Sequence, residues 1–147
     1  EGMDIWLEAL ETFFCGDAEL IEYVQKVIGL AAIGKVYEVS EVQFATFSAL
    51  AGASGAFIHL YIDALASAGV KNGLPRPMAE ELAAQAVLGA AKLTLASDLH
   101  PVALADQVCS PGGTTIEGVH TLKRLGFESA VQQAVDAVIE KDRRLAN

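Results

Sequence analysis

Between Glu41 and Asp63 the sequence runs for 21 residues, Val42 to Ile62, without a single Asp, Glu, Lys or Arg. A stretch so long and apolar is either a bilayer-spanning helix or a helix covered on most sides by protein. Gln43, Thr46, Ser48, Ser54 and His59 interrupt it, no Lys or Arg anchors its N-terminal side, and Asp63 follows it directly, so the protein-covered helix is the better reading. The rest of the chain has little mass with which to cover it. The hydrophobic share is 52% of 147 residues. Counting glycine in and tyrosine out brings it to about 59%, against 45–50% for typical soluble domains. Disorder is excluded, and an obligate oligomer, whose interface resembles a core cut in half, is expected to supply the cover.

Charge narrows the partners. The net charge is −9 and the pI about 4.6, with the ten Lys and Arg scattered, so no basic surface for nucleic acid is expected. Residues 1–41 carry nine acids and two bases, whereas residues 42–147 carry ten and eight, which divides the chain into two parts. Cys15 and Cys109 stand far apart with no ligand spacing around them. They read as small buried hydrophobes, not as a disulfide framework or a metal site. The acidic start Glu1-Gly2-Met3-Asp4 is not a signal peptide, and a cytoplasmic location is expected.

Apolar spacing predicts helices almost throughout. Residues 1–33 read as a helical hairpin: Ile5 to Phe14 form one stripe, Leu20, Ile21, Val24, Val27 and Ile28 the other, and Cys15-Gly16-Asp17 the break. Lys35–Val39 alternates weakly, as a short extended link, and Ser40 is a plausible N-cap. One long helix is predicted from Glu41 to about Lys71, kinked at Gly52-Ala53-Ser54-Gly55. Lys71 to Pro77 is a stop and restart, with Gly73 suited to a left-handed residue. The next helix, Met78 to Ala96, has only the narrow polar stripe Glu81, Gln85 and Lys92 and is expected to be covered nearly all round. Shorter helices are predicted at Val102–Val108 and Thr114–Leu125. A last one from Phe127 is expected to bury Ala130, Val131, Ala134, Val135, Val138 and Ile139. The expected fold class is all-α.

The sharpest local feature is Ser110-Pro111-Gly112-Gly113-Thr114-Thr115-Ile116-Glu117. Two glycines ahead of a helix let a ligand approach backbone N–H groups at the positive end of the helix dipole, so a carboxylate or phosphate fits there, and Thr115 adds a hydroxyl. Thr114-x-x-Glu117 is equally a capping box, which alone would account for those residue types. His59 reads as a hydrogen-bonded core or interface histidine, His100 as a residue at the start of a helix and His120 as exposed. Asp63 is either a buried, paired carboxylate or faces water. No GxGxxG or P-loop is present, so a nucleotide has no evident home in the chain.

Three segments together resemble a known family: Ala64-Leu65-Ala66-Ser67-Ala68-Gly69-Val70-Lys71-Asn72-Gly73-Leu74-Pro75-Arg76, Ala83-Ala84-Gln85-Ala86-Val87-Leu88-Gly89-Ala90-Ala91-Lys92, and above all Asp106-Gln107-Val108-Cys109-Ser110-Pro111-Gly112-Gly113-Thr114-Thr115-Ile116. They are similar to the C-terminal domain of Δ1-pyrroline-5-carboxylate reductase, and the resemblance runs from about Gly34 to the end. It implies a domain division at 1–33 and 34–147 and a helical domain interleaved with a second copy as a homodimer. It also implies a small imino acid, or proline, as the ligand. The substrate carboxylate would meet Gly112, Gly113, Thr114 and Thr115, with Thr115 donating its hydroxyl as the catalytic threonine. Val108 and Ser110 would line the pocket, and Asp98 would approach the substrate nitrogen. In that family a Rossmann domain binds NAD(P)H; here about 34 residues stand in its place, so the chain alone is expected to transfer no hydride and to hold no cofactor. Members usually carry Ser-Pro-Ala or Gly-Pro-Ala in the kink of the long helix, where this chain has Ser54-Gly55-Ala56. Phe14 to Gly29 is similar to the helical segment before the helicase domain of phage and plasmid primases, which would make the chain a mosaic. Alternatively, Val24 to Ile33 replaces the reductase helix leading into Gly34. A purely structural interaction module, with the Gly112-Gly113 turn a mere helix cap, is the remaining reading.

Overall fold

A computed structural model of the chain describes Tyr37 and residues 39–145. The hairpin expected over 1–33, the primase-like segment within it and Cys15 lie outside the described residues. The chain divides into two compact units, Glu1–Phe47 and Ser48–Asn147. Among the described residues every regular element is a helix, so the fold is all-α as expected.

In the first unit, helix α1 (Glu41–Ser48) begins directly after Ser40. The Ser40 hydroxyl donates to Gln43 Oε1 at 2.9 Å, and the Gln43 amide donates to the Ser40 carbonyl at 2.9 Å. The Tyr37 and Phe47 rings meet edge-on at 6.0 Å. Of the expected extended link, Tyr37 and Val39 are described, and neither belongs to a helix or strand.

The second unit opens with a π-helical turn, Ala49–Ala53, followed by α2 (Ser54–Lys71). The interruption expected at Gly52–Gly55 is present but starts three residues earlier. Gly52 weakens the ladder, and Ser54, one turn on, donates its hydroxyl to the Leu50 carbonyl at 2.5 Å, competing for a helical acceptor. Helix α2 ends in a Schellman motif. The Leu74 amide donates to the Gly69 carbonyl at 3.0 Å and the Gly73 amide to the Val70 carbonyl at 3.0 Å, and Gly73 takes φ 98°. Helix α3 (Arg76–Ala96) starts two residues before the expected Met78, because prolines suit a first turn whose amides have no helical acceptor.

The four-residue loop makes α2 and α3 antiparallel neighbours. Ala66 of α2 and Ala79 and Ala83 of α3 are buried, with Ile62 and Val70 packed beside them at one-turn spacing. Alanine lets the two backbones approach closely: a Cβ on Gly69 would lie 3.1 Å from the Ala79 Cβ. Arg76 Nη1 stands 3.5 Å from Asp63 Oδ1 and 3.2 Å from Ser67 Oγ, tying the two helices together beside the loop. Asp63 is thus paired but exposed, so the pair is worth at most about 1 kcal/mol.

Three further helices complete the unit: α4 (Pro101–Gln107), α5 (Thr114–Arg124) and α6 (Phe127–Leu145). Tyr61 of α2 meets Phe127 of α6 at 5.9 Å between ring centroids. Burial departs from expectation. Helix α3 is exposed over most of its circumference, with Leu95 86% exposed, and no residue of α6 is buried. On α6, Ala134, Val135, Val138 and Ile139 are half-buried while Ala130 and Val131 are exposed, and Cys109 is only half-buried. Among the described residues the only buried hydrophobic side chains are four alanines and Leu104. The apolar stripes are where periodicity puts them, but a single chain offers too little surface to cover them. Val42–Lys71 is long and apolar enough to cross a membrane, and 11% of its most apolar window is buried.

Candidate functional site

The loop between α4 and α5 is built by its glycines and its proline. Val108 caps the C-terminal end of α4, and the Cys109 amide donates to the Asp106 carbonyl at 3.0 Å. Ser110, Pro111, Gly112 and Gly113 then form a β-turn closed by the Gly113 amide on the Ser110 carbonyl at 2.9 Å. Proline at its second position and Gly112 with φ 67° at its third are the signature of a type II turn, which demands a residue free to adopt positive φ. Gly113 is required for a different reason. A Cβ there would run into the Ser110 hydroxyl and sit 3.1 Å from the Ser110 carbonyl oxygen.

This turn corrects the capping-box reading. Gly113, extended at φ −76° and ψ 170°, is the N-cap of α5, Thr114 is already the first helical residue, and no side chain caps the helix. The turn hands the chain to the helix in extended geometry at Gly113, one residue too early for Thr114 to reach back as a cap. The Pro111-Gly112 pair is the sequence signal for this. Since the Gly113 amide is spent on Ser110, the donors left open are the Thr114, Thr115 and Ile116 amides at the positive end of α5, and Thr115 adds a hydroxyl to the same turn of helix.

Ser110, Gly112, Gly113, Thr114 and Thr115 are therefore brought together in one continuous feature. All are exposed except half-buried Gly113, and Val108 is exposed at its edge. Asp98 occupies an exposed bend after α3, ahead of the N-terminal end of the seven-residue α4, whereas the turn follows its C-terminal end. Two residues on, His100 is the N-cap of α4, its Nδ1 accepting the Val102 amide at 3.2 Å, which agrees with its reading as a residue at the start of a helix. His59 is exposed within this chain rather than a core histidine, because α2 buries only the stripe facing α3; His120 is exposed as expected. No group of three metal-ligating side chains occurs among the described residues.

Comparison with known proteins covers most of this architecture. A family model described as pyrroline-5-carboxylate reductase dimerisation matches residues 41–145. The pyrroline-5-carboxylate reductase of Pisum sativum is 43% identical over 130 residues, which is 88% of this chain and 46% of that protein. The crystal structure of 1-pyrroline-5-carboxylate reductase from Streptococcus pyogenes is 48% identical with a TM-score of 0.71, over 74% of this chain and 42% of that one. The Plasmodium falciparum pyrroline carboxylate reductase, solved with NADP bound, is 33% identical with a TM-score of 0.74, over 78% of this chain and 46% of that one. The chain thus spans less than half the length of these relatives. A match over 130 residues leaves 17 outside it, so similarity to the pea protein begins by residue 18, ahead of Gly34.

Proposed function

The chain belongs to the pyrroline-5-carboxylate reductase dimerisation family, and on that premise we propose that it is the self-associating, substrate-holding part of a reductase that converts 1-pyrroline-5-carboxylate to L-proline. The observation that carries this reading is the turn Ser110–Gly113, which leaves the first amides of α5 uncapped beside a threonine hydroxyl. A planar carboxylate accepts from the Thr114 and Thr115 amides and from the Thr115 hydroxyl, three donors fixed before the ligand arrives. Val108 and Ser110 flank the ring.

The nicotinamide coenzyme of such a reductase supplies a hydride. Among the described residues no strand leads into a glycine-rich turn, and Gly112-Gly113, the one adjacent glycine pair, follows a helix and a proline. These residues do not fit a dinucleotide pyrophosphate, so their share of the reaction is binding and orientation. The chain by itself is expected to oxidise no NAD(P)H with pyrroline-5-carboxylate.

In the same reading a second copy, not lipid, covers the bare face of α2, where Leu60 is 71% exposed. Sedimentation is expected to show a dimer that dissociates only on unfolding; a stable monomer would contradict it. The binding site is tested by titrating the labelled full chain with L-proline. The Thr114 and Thr115 amides are expected to shift, and unchanged spectra at millimolar proline would leave the turn a purely structural helix start.

A further inference from the structure

Two hydrogen-bond donors of one residue are exchanged at the π turn. In an α-helix the Ser54 amide would donate to the Leu50 carbonyl, four residues back. Here it donates to the Ala49 carbonyl, five residues back, and the Ser54 hydroxyl takes the Leu50 carbonyl in its place, at 2.5 Å. A single serine therefore satisfies both carbonyls, the second with a group that alanine lacks.

A hydroxyl bonded back along its own helix does not by itself make a π turn. Thr94 donates to the Ala90 carbonyl at 2.9 Å within α3, which stays α-helical as far as Ala96. The backbone around Ser54 is different, because Gly52 and Gly55 flank it. A Cβ at either would meet nothing within 4 Å, and neither has positive φ. Neither glycine is thus required by the packing or the backbone angles of this chain. Both weaken the α-helical ladder relative to alanine, which leaves the choice of acceptor to the Ser54 hydroxyl.

That choice decides which side chain is buried. Ala49, within the turn, is fully buried, and α6 passes beside the turn. Leu50 is 57% exposed. If the amide of residue 54 returned to the Leu50 carbonyl, residue 50 would take the place that residue 49 now holds. A leucine side chain would then enter a position that fits a methyl group. Leu50 lies inside the span that matches the dimerisation family, residues 41–145, so the surface expected to cover it is that of a second copy.

We propose that Ser54 sets the register of the interface between copies: its hydroxyl stands in for its own amide on the Leu50 carbonyl, holds the turn in π form, and so keeps Ala49 inward and Leu50 outward against a second copy. The partner rests on the reading of the chain as self-associating; the register does not.

Couplings across hydrogen bonds in the deuterated, labelled full chain identify the acceptor of the residue-54 amide. Isotope-filtered contacts in dimers refolded from labelled and unlabelled chains report what Leu50 touches. In the wild type the amide is expected to couple to the Ala49 carbonyl, and the Leu50 methyls to contact the other copy. Ser54→Ala should move the coupling to Leu50, lowering the ratio of π to α form about fivefold, as loss of a typical hydrogen bond implies, and should weaken the Leu50 contacts in step. Ser54→Thr, which keeps a hydroxyl, should retain both wild-type signatures. A Ser54→Ala chain whose amide still couples to Ala49, or whose amide moves while Leu50 keeps its contacts, would overturn the proposal, as would wild-type coupling to Leu50. A wild type that sediments as a monomer would remove the second copy together with the self-association reading, and the acceptor of the residue-54 amide would still decide whether serine sets the register.

Discussion

Two helices begin within fourteen residues of each other, and they begin in opposite ways. At Pro101 the preceding side chain folds over and takes the first available amide; at Thr114 the preceding residue is glycine, and no side chain does so. Both helix starts face the same physical demand, since the first amides of any helix have no partner within it. At α4 the demand is met internally, because the helix is short and has little else to hold it. At α5, an 11-residue helix with Lys123 and Arg124 favourably placed in its last turn, the amides are left open. A glycine at the N-cap costs only a few tenths of a kcal/mol against Ser or Asp, and in the proposed reading an outside acceptor takes the amides it leaves open.

The contrast is broken most severely by Gly113→Ala, whose methyl group would collide with the Ser110 hydroxyl and push on its carbonyl. We expect a stability loss of about 1–3 kcal/mol by denaturant unfolding and at least a tenfold weaker response to proline. Adding Ser110→Ala should restore part of the stability, because the hydroxyl is the nearer obstacle and the carbonyl remains. Thr115→Val keeps the shape and removes the hydroxyl. Hydrogen bonds to charged groups are worth about 1.5–3 kcal/mol, so proline affinity should fall tenfold or more while helicity by circular dichroism stays level. The smallest effect is expected from Glu117→Gln. With no capping box formed, the change should cost less than about 0.5 kcal/mol; a loss near 1 kcal/mol would show that Glu117 does support the helix start.

Much of this is legible from local rules. The turn at Asn72-Gly73 follows from glycine's access to positive φ, and the helix boundaries around Pro101 and Gly126 from breakers that stop a helix wherever they occur. The position of the α5 cap is ambiguous in the sequence because Thr114-x-x-Glu117 matches one motif while Pro111-Gly112 matches another. The turn prevails, since it sets the backbone angles at Gly113 before any side chain can reach back. The π turn at Ala49–Ala53 is only half legible: composition shows that the ladder is weak there, not which carbonyl Ser54 will take. Asp98 and Thr115 are united by resemblance, whereas the single chain keeps them at opposite ends of α4.

Among the described residues, the sequence by itself determined that the chain is helical and where its main breakers fall, and that it carries more apolar surface than it can hide, because these depend on neighbours within a few residues and on totals. Only the tertiary structure decided which of the apolar faces meet. Ala66, Ala79 and Ala83 are buried because small side chains let two helices touch, whereas larger residues such as Leu60 on α2, Leu95 on α3 and Val131 on α6 stay exposed. Burial is a property of pairs of surfaces, and periodicity describes one surface at a time.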